Sequence, residues 1–449
     1  GGEPTIGADK EGALYVAGKE ARVWRSLDEG KGWQDVSKRN LRVGIDPYVW
    51  VDRDATPSRV WSAPLFTPCG DIQWSDDGGA TWSSSAKAAL LPGCGAGLDH
   101  PSLVSGPAPP EVHASYQGRI AYYTYNSVGS QGGGWVARSL DGGETWVDAQ
   151  RIFDGTCQRG YMGAPAVAPD GTVYIAKPWC DGLLVATSTD GGKAWTPRWI
   201  NATGISGTPG DLGGGLVPGR RPDTYWTNPG VAVDPSGNAA VAWGGDDGRI
   251  HLSGSTDRGL TWSAPVAVSP PGITGTAFSA VTSLGEGRFA VAYLGTRHAA
   301  WAGHEAHAAP SDARWHLFVS FSNETLSPDP LFLTVQATPP EDPVQVGQIW
   351  QADGVPGNEP PSRNLRDFIS IIESKGKVHV AYTDGCIRCD DAAQSTRQDL
   401  HVARIEGMPR APVVGASPTP TPEPTASLWP VPSWTQPRAG GPHKETPAS

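Results

Sequence analysis

Nowhere in its 449 residues does the chain carry a run of about 18 apolar residues, so no segment reads as a membrane-spanning helix. Helical periodicity is scarce too, and the apolar residues come in the short runs expected of strands. Charge is thin: Asp, Glu, Lys and Arg make up 18% of the residues, with a net balance of −11. That acidic balance excludes the electrostatic footprint of a nucleic-acid binder or of a protein held on an anionic lipid surface. The chain opens Gly-Gly-Glu-Pro directly on its first strand, with no leader segment, and is expected to be a mature or trimmed form.

What is abundant is glycine, proline and tryptophan, at 58, 42 and 19 residues. Five of the tryptophans belong to a pattern, S-x-D-x-G-x-x-W, that occurs five times: Ser26 to Trp33, Ser75 to Trp82, Ser139 to Trp146, Ser188 to Trp195 and Ser255 to Trp262. The serines lie 49, 64, 49 and 67 residues apart, the spacing of a repeated structural unit rather than of a catalytic motif. Ser and Asp side chains can take over backbone hydrogen bonds at a tight turn, and Gly tolerates positive φ. The Trp buries a large ring. A β-like run precedes each copy, for example Leu183 to Thr187, so each copy joins two antiparallel strands.

A second repeat lies ahead of the first: an apolar run, a polar turn with Gly, then another apolar run. It begins at Pro4, Pro47, Pro101, Pro165 and Pro229, and without proline at Phe278 and Phe368. Seven strand–turn–strand units result, each followed by further strand signal. Four strands per unit and seven units predict an all-β chain folded as a seven-bladed β-propeller. Six blades fit the same pattern if one strand pair belongs to an insertion. Residues 1–410 would form the propeller. Residues 411–449, with Ser417-Pro-Thr-Pro-Thr-Pro-Glu-Pro-Thr425, read as a disordered Pro/Thr-rich tail or linker. The seventh blade shows no obvious outer strand; Ala411 to Gly415 and residues ahead of the N-terminus are the candidates.

The turn pattern resembles the Asp box of the sialidase superfamily, also described as the bacterial neuraminidase repeat, over roughly residues 3 to 410. The resemblance implies a propeller. It also implies an exo-sialidase-type site, in which three arginines clamp a sugar carboxylate, a Tyr activated by Glu is the nucleophile and an Asp is the acid/base. The Arg-Ile-Pro motif of that family's first blade is missing, and the first innermost strand, Glu3-Pro-Thr-Ile-Gly-Ala, has no Arg. The fold therefore carries over and the activity does not follow from it.

Topology separates the two faces. In a meander a–b–c–d, the a–b and c–d turns share one face, and the b–c and d–a loops share the other. The S-x-D-x-G-x-x-W turns are c–d turns. The opposite face receives the long segments 83–100, 147–164, 196–228, 294–314, 323–366 and 383–399, which makes it the expected binding face. Residues just before the innermost strands should ring the channel there: Glu3, Asp46, His100, Ala164, Asn228, Ala277 and Asp367. Nearby loops add Arg159, Tyr161, Asp246 and Arg297. If the chain is a hydrolase, loop position nominates Arg220, Arg221 and Arg366 as the carboxylate clamp, Tyr225 as nucleophile, and Asp46 or Asp223 as acid. The expected partner is a glycan or another extracellular or cell-surface ligand bound by a monomer. A divergent glycoside hydrolase and a structural scaffold are the other readings. No cofactor is called for, although Asp246-Asp247 and Asp390-Asp391 would accept calcium.

All six cysteines, Cys69, Cys94, Cys157, Cys180, Cys386 and Cys389, fall on the long-loop face. An even count on loops points to disulfides and to an exported protein, extracellular or held at the cell envelope. Neighbouring loops pair Cys69 with Cys94, Cys157 with Cys180 and Cys386 with Cys389. The last pair would alternatively suit a redox or zinc motif, although no second Cys-x-x-Cys completes a zinc site. Alkylation of the denatured, non-reduced protein should add no mass; any thiol adduct would overturn the three-disulfide scheme.

Overall fold

The computed structural model of the chain describes residues 3–38, 46–65, 72–85, 98–127, 133–154, 161–179, 182–200, 229–245, 247–298, 309–349, 365, 367–390, 397–408 and 425–430. They form seven antiparallel sheets, each with four strands in unbroken chain order, and the sixth adds a fifth short strand, Gln345–Val346, on its third. The innermost strands are β1 (Thr5–Ala8), β5 (Val49–Asp52), β9 (Leu98–Pro107), β13 (Ala166–Val167), β17 (Gly230–Val233), β21 (Gly275–Gly285) and β26 (Ser370–Ser374). Each lies against the next, and β26 returns to β1, so the blades close a ring. The fold is a seven-bladed β-propeller. Among the described residues no helix is long and apolar enough to cross a membrane.

The seams between blades carry the core. Alternation along each strand sends side chains to both sheet faces, and both faces are covered by neighbouring blades. Between blades 2 and 3, for example, Tyr48, Trp61 and Leu65 pack with Leu103, Tyr123, Tyr125 and Trp146. Every S-x-D-x-G-x-x-W turn delivers its Trp to the seam with the preceding blade: Trp33 to blade 7, Trp82 to blade 1, Trp146 to blade 2, Trp195 to blade 3 and Trp262 to blade 4.

The turn chemistry explains this delivery. In the third copy, Ser139 Oγ donates to Asp141 Oδ1 at 2.8 Å and accepts the Gly143 N–H at 2.7 Å. Asp141 Oδ1 also accepts the Thr145 N–H at 2.9 Å. The same Ser–Asp–Gly links recur in the other four copies. Gly143 has φ 98°, and a Cβ there would sit 2.7 Å from the Trp61 ring, so both the turn and the seam require glycine. Two of the five Trp N–H groups have a hydrogen-bond partner. Trp33 donates to Gly30 O and Trp82 to Val36 O, whereas the N–H groups of Trp146, Trp195 and Trp262 are buried without one. Ring burial outweighs the unmade bond at those three seams.

Several segments depart from the sequence reading. The outer strand of blade 7 is β29 (Thr425–Pro430), paired along β28 (Asp399–Glu406), not Ala411 to Gly415. An edge strand needs only its neighbour's backbone groups, so its composition announces it poorly. The a–b connection of blade 3, residues 108–118, is long, and it folds over the turn face where Gln117 exchanges hydrogen bonds with the Thr56 backbone. Segments 83–100, 147–164 and 196–228 open with the outermost strands β8 (Ser83–Ser84), β12 (Val147–Phe153) and β16 (Thr196–Ile200). Residues 323–332 form a c–d connection and belong to the turn face.

Among the described residues no strand is shared between blades 7 and 1, so side chains do most of the work of closing the ring. Ile6, Val16, Ala381, Leu400 and Val402 pack across the seam of blades 7 and 1. The Ile6 N–H donates to Ser370 Oγ at 3.3 Å. Glu29, inside the first turn, accepts from Lys377 Nζ at 2.7 Å and from Arg404 at 2.6 Å. Cys386 and Cys389 form a disulfide buried against Val346, which braces the b–c loop of blade 7 on blade 6. Cys69, Cys94, Cys157 and Cys180 lie outside the described residues.

All five turn aspartates sit below the ordinary carboxyl value of 3.8. At Asp141 burial opposes the charge, and the hydrogen bonds from Thr145 and Ser139 outweigh it. A depressed folded-state value gives stabilisation that is complete above 3.8 and is lost as pH falls through the folded value. Asp141→Asn should therefore destabilise the protein by about 1 kcal/mol at neutral pH. It should also flatten the fall in Tm below pH 3.8. An unchanged acid profile in calorimetry would discount the turn aspartates as the acid-sensitive element.

Candidate functional site at the channel mouth

The innermost strands begin on the long-loop face. At that end several non-glycine residues sit in the left-handed region: Glu3 (φ 51°), Asp46 (46°), His100 (45°) and Phe278 (51°). Equivalent positions in four blades share this conformation. The ladder is displaced between Thr124 and Asn126, opposite His100, and between Ala277 and Ser279 at Phe278. Bulges of this kind re-aim a side chain, and strained backbone is retained where the surroundings over-determine it.

The re-aimed side chains meet on the axis. His100 of blade 3 reaches Asp367, at the entry to blade 7, with Nε2 to Oδ2 at 3.2 Å. Asp99 Oδ1 lies 3.9 Å from the same nitrogen. Glu3, His100 and Asp367 each place a polar atom within 4.8 Å of the others, and so do Asp46, Asp99 and His100. Four blades thus contribute to one cluster. Glu3, Asp46, His100 and Asp367 are buried, while the Asp99 side chain keeps 30% of its exposure. Tyr161, at the entry to blade 4, lies tilted against the imidazole with ring centroids 4.5 Å apart, and Phe368 meets it edge-on at 5.7 Å. Asn126 fixes the spacing: its Nδ2 donates to Asp99 O at 3.4 Å and its Oδ1 accepts from the Met162 N–H at 3.0 Å. Asp99 and Met162, the residue after Tyr161, are therefore tied to one side chain.

Charge at the mouth is set by burial and by crowding of carboxyls. Burial pushes Asp99 up, and the adjacent Asp46, which hydrogen-bonds to it, adds to the rise; His100 and the Tyr161 hydroxyl pull it back, leaving it at about 6. For His100, burial works against the cation, yet Asp367, Asp99 and Asp46 outweigh it and raise the imidazole to about 9. The contribution of His100 to stability is complete below 6.5 and is lost as pH rises through about 9. The arrangement supplies a carboxyl that exchanges its proton near neutrality, a hydroxyl bonded to it, and a fixed cation beneath.

Of the residues nominated from sequence, Asp46, His100, Tyr161 and Asp367 come together here, with Glu3. Arg297 lies elsewhere: it bonds Gln336 at 2.5 Å and covers the Phe318 ring within blade 6. Arg159, Arg220, Arg221, Asp223, Tyr225, Asn228, Asp246 and Arg366 lie outside the described residues. Asp99 and Phe368 were not nominated as site residues; each neighbours a residue that was, and only the bulge turns Asp99 inward.

No family model matches the sequence, and no curated protein matches it. Among solved structures, an ancestral GH74 enzyme superimposes with a TM-score of 0.51 at 16% identity, over 90% of this chain and 45% of that one. The BP39L lectin from Burkholderia pseudomallei gives 0.51 at 13% identity, over 90% and 95%. The Hadza microbial sialidase Hz136 gives 0.39 at 17% identity, over 65% and 63%. The chain thus spans under half of the GH74 enzyme and under two thirds of that sialidase. At these identities the likeness to the GH74 enzyme and the lectin is one of fold alone.

Removing the Asp46 charge should lower the Asp99 pKa. Carboxyl 13C NMR should show Asp99 titrating near 6 in the parent and lower in Asp46→Asn. An unmoved midpoint would eliminate Asp46 as a cause.

Proposed function

We propose that the chain recognises a glycan on its long-loop face, seated over the channel mouth, as an extracellular or envelope-associated protein. The observation that carries this reading is the convergence of Asp99 and Tyr161, both still partly accessible, above a buried bed of Glu3, Asp46, His100 and Asp367. Carboxylates accept strong charge-assisted bonds from sugar hydroxyls, and an aromatic ring covers the apolar face of a pyranose. Fixed positions matter for such recognition, and blade seams and the Asn126 ties supply them. The Cys386–Cys389 disulfide and the Pro/Thr-rich tail favour export.

A second reading, a divergent glycoside hydrolase, draws on the hydroxyl of Tyr161 bonded to Asp99. Tyrosine nucleophiles with a carboxylate partner occur in sialidases, outside the two-carboxylate pattern. The Asp46–Asp99 pair itself suits binding better. Two-carboxylate glycosidases hold their groups about 5–5.5 Å apart or wider, and a hydrogen-bonded pair is too close to admit a reacting carbon.

Binding of the full chain to a glycan array, followed by calorimetry on the best ligand, tests the first reading. Asp99→Asn and Tyr161→Phe should each weaken binding at least about tenfold, or about 1.4 kcal/mol. A silent array would sink it. Release of fluorophore from a sialoside, abolished by Tyr161→Phe, would establish the hydrolase instead.

A further inference from the structure

We infer that the channel mouth is a binding site for one hard divalent cation, held by Asp46, Asp99 and His100, with Glu3 and Asp367 completing its surroundings. This goes beyond ligand recognition and stands whether or not the ligand is a glycan.

The argument begins with spacing. For metal–ligand bonds of about 2.2 Å, ligand atoms at right angles are about 3.1 Å apart, and those at 120° about 3.8 Å apart. The distances from His100 Nε2 are 3.2 Å to Asp367 Oδ2 and 3.9 Å to Asp99 Oδ1. Asp46, Asp99 and His100 offer one ligand atom each, all within 4.8 Å of one another. Opposed ligands on a calcium-sized ion are separated by about that much. One ion beside Nε2 therefore fits these donors without moving the backbone, once it displaces the proton that Nε2 shares with Asp367.

A second observation is independent of the clustering. Asp46 is only 7% exposed, and its Oδ2 is buried with no hydrogen-bond partner while the carboxylate points into the cluster. Buried polar atoms are nearly always satisfied, and an orphaned carboxylate oxygen facing an imidazole and another carboxylate is a ready coordination position. The left-handed backbone at Asp46 and at His100 presents both groups to this point.

Donor type narrows the ion. Carboxylates suit Mg2+, Ca2+ and Mn2+, and the imidazole favours Mn2+ within that group. Bound there, the ion would neutralise the acidic mouth and offer open positions to hydroxyl oxygens of a ligand. Two other places in the molecule are less developed as sites. The Cys386–Cys389 disulfide is too buried for exchange, and the groove of about 590 Å³ on the turn face has its Asp9 and Asp76 carboxylates already engaged.

Mn2+ titration of the chelator-treated full chain, followed by the loss of free-ion EPR signal and by calorimetry, tests the inference without any glycan. One Mn2+ per chain is expected. Asp46→Asn and Asp99→Asn should each weaken it at least about tenfold while circular dichroism stays unchanged, and Asp312→Asn, at an exposed carboxylate elsewhere, should not. EDTA should lower the Tm of the parent, and Mn2+ should restore it. If Asp46→Asn fails to fold, the more exposed Asp99→Asn decides. No saturable binding up to about 1 mM, or binding indifferent to both substitutions, overturns the site. A glycan array repeated in EDTA keeps the two readings apart, since glycan binding can survive when the ion is removed.

Discussion

A single hydroxyl in each of the first five blades governs much of this structure. The Ser of each S-x-D-x-G-x-x-W turn takes the Gly N–H on one side and holds the Asp carboxylate on the other. This pins the turn between the third and fourth strands. With the turn fixed, the Trp can leave it in one direction only, into the seam with the preceding blade. Seams so filled hold neighbouring sheets in a constant relation, and the ring follows from repeating that relation. The channel mouth inherits its geometry from the ring: side chains contributed by separate blades meet to within hydrogen-bond distance at His100 and Asp367, 267 residues apart.

The fold was legible because its signals are local. A Ser, an Asp and a Gly within five residues determine a turn by short-range hydrogen bonding, and short apolar runs flank it. Strand topology then placed Glu3, Asp46, His100 and Asp367 around one mouth before any contact was known. What sequence reading missed depends on tertiary pairing. The bulge that turns Asp99 inward arises from the mismatch of β9 with its neighbour strand, and the same kind of slip puts Phe278, not Ala277, in the left-handed position. Arg297 looked like a binding residue from its loop, but stacking on Phe318 and a bond to Gln336 use it within its own blade.

The two faces store different kinds of free energy. On the turn face, the aspartates are held ionised by donated hydrogen bonds. At the mouth, non-glycine residues adopt left-handed backbone, and carboxyls are crowded until one of them resists ionisation. Electrostatic frustration is concentrated at the mouth, where a ligand can relieve it.

The unshared closing seam has a kinetic meaning. The Thr5–Pro47 contact between blades 1 and 2 joins residues 42 apart, whereas Ile6–Ser370 at the closing seam joins residues 364 apart. That is about three doublings of loop length, and each doubling adds about 0.6 kcal/mol of closure entropy, so the ring's last junction costs roughly 2 kcal/mol more than an ordinary one. The penalty is small beside an apolar seam with several buried side chains. A circle of sheets can therefore form by sequential addition of blades, with blades 7 and 1 meeting late.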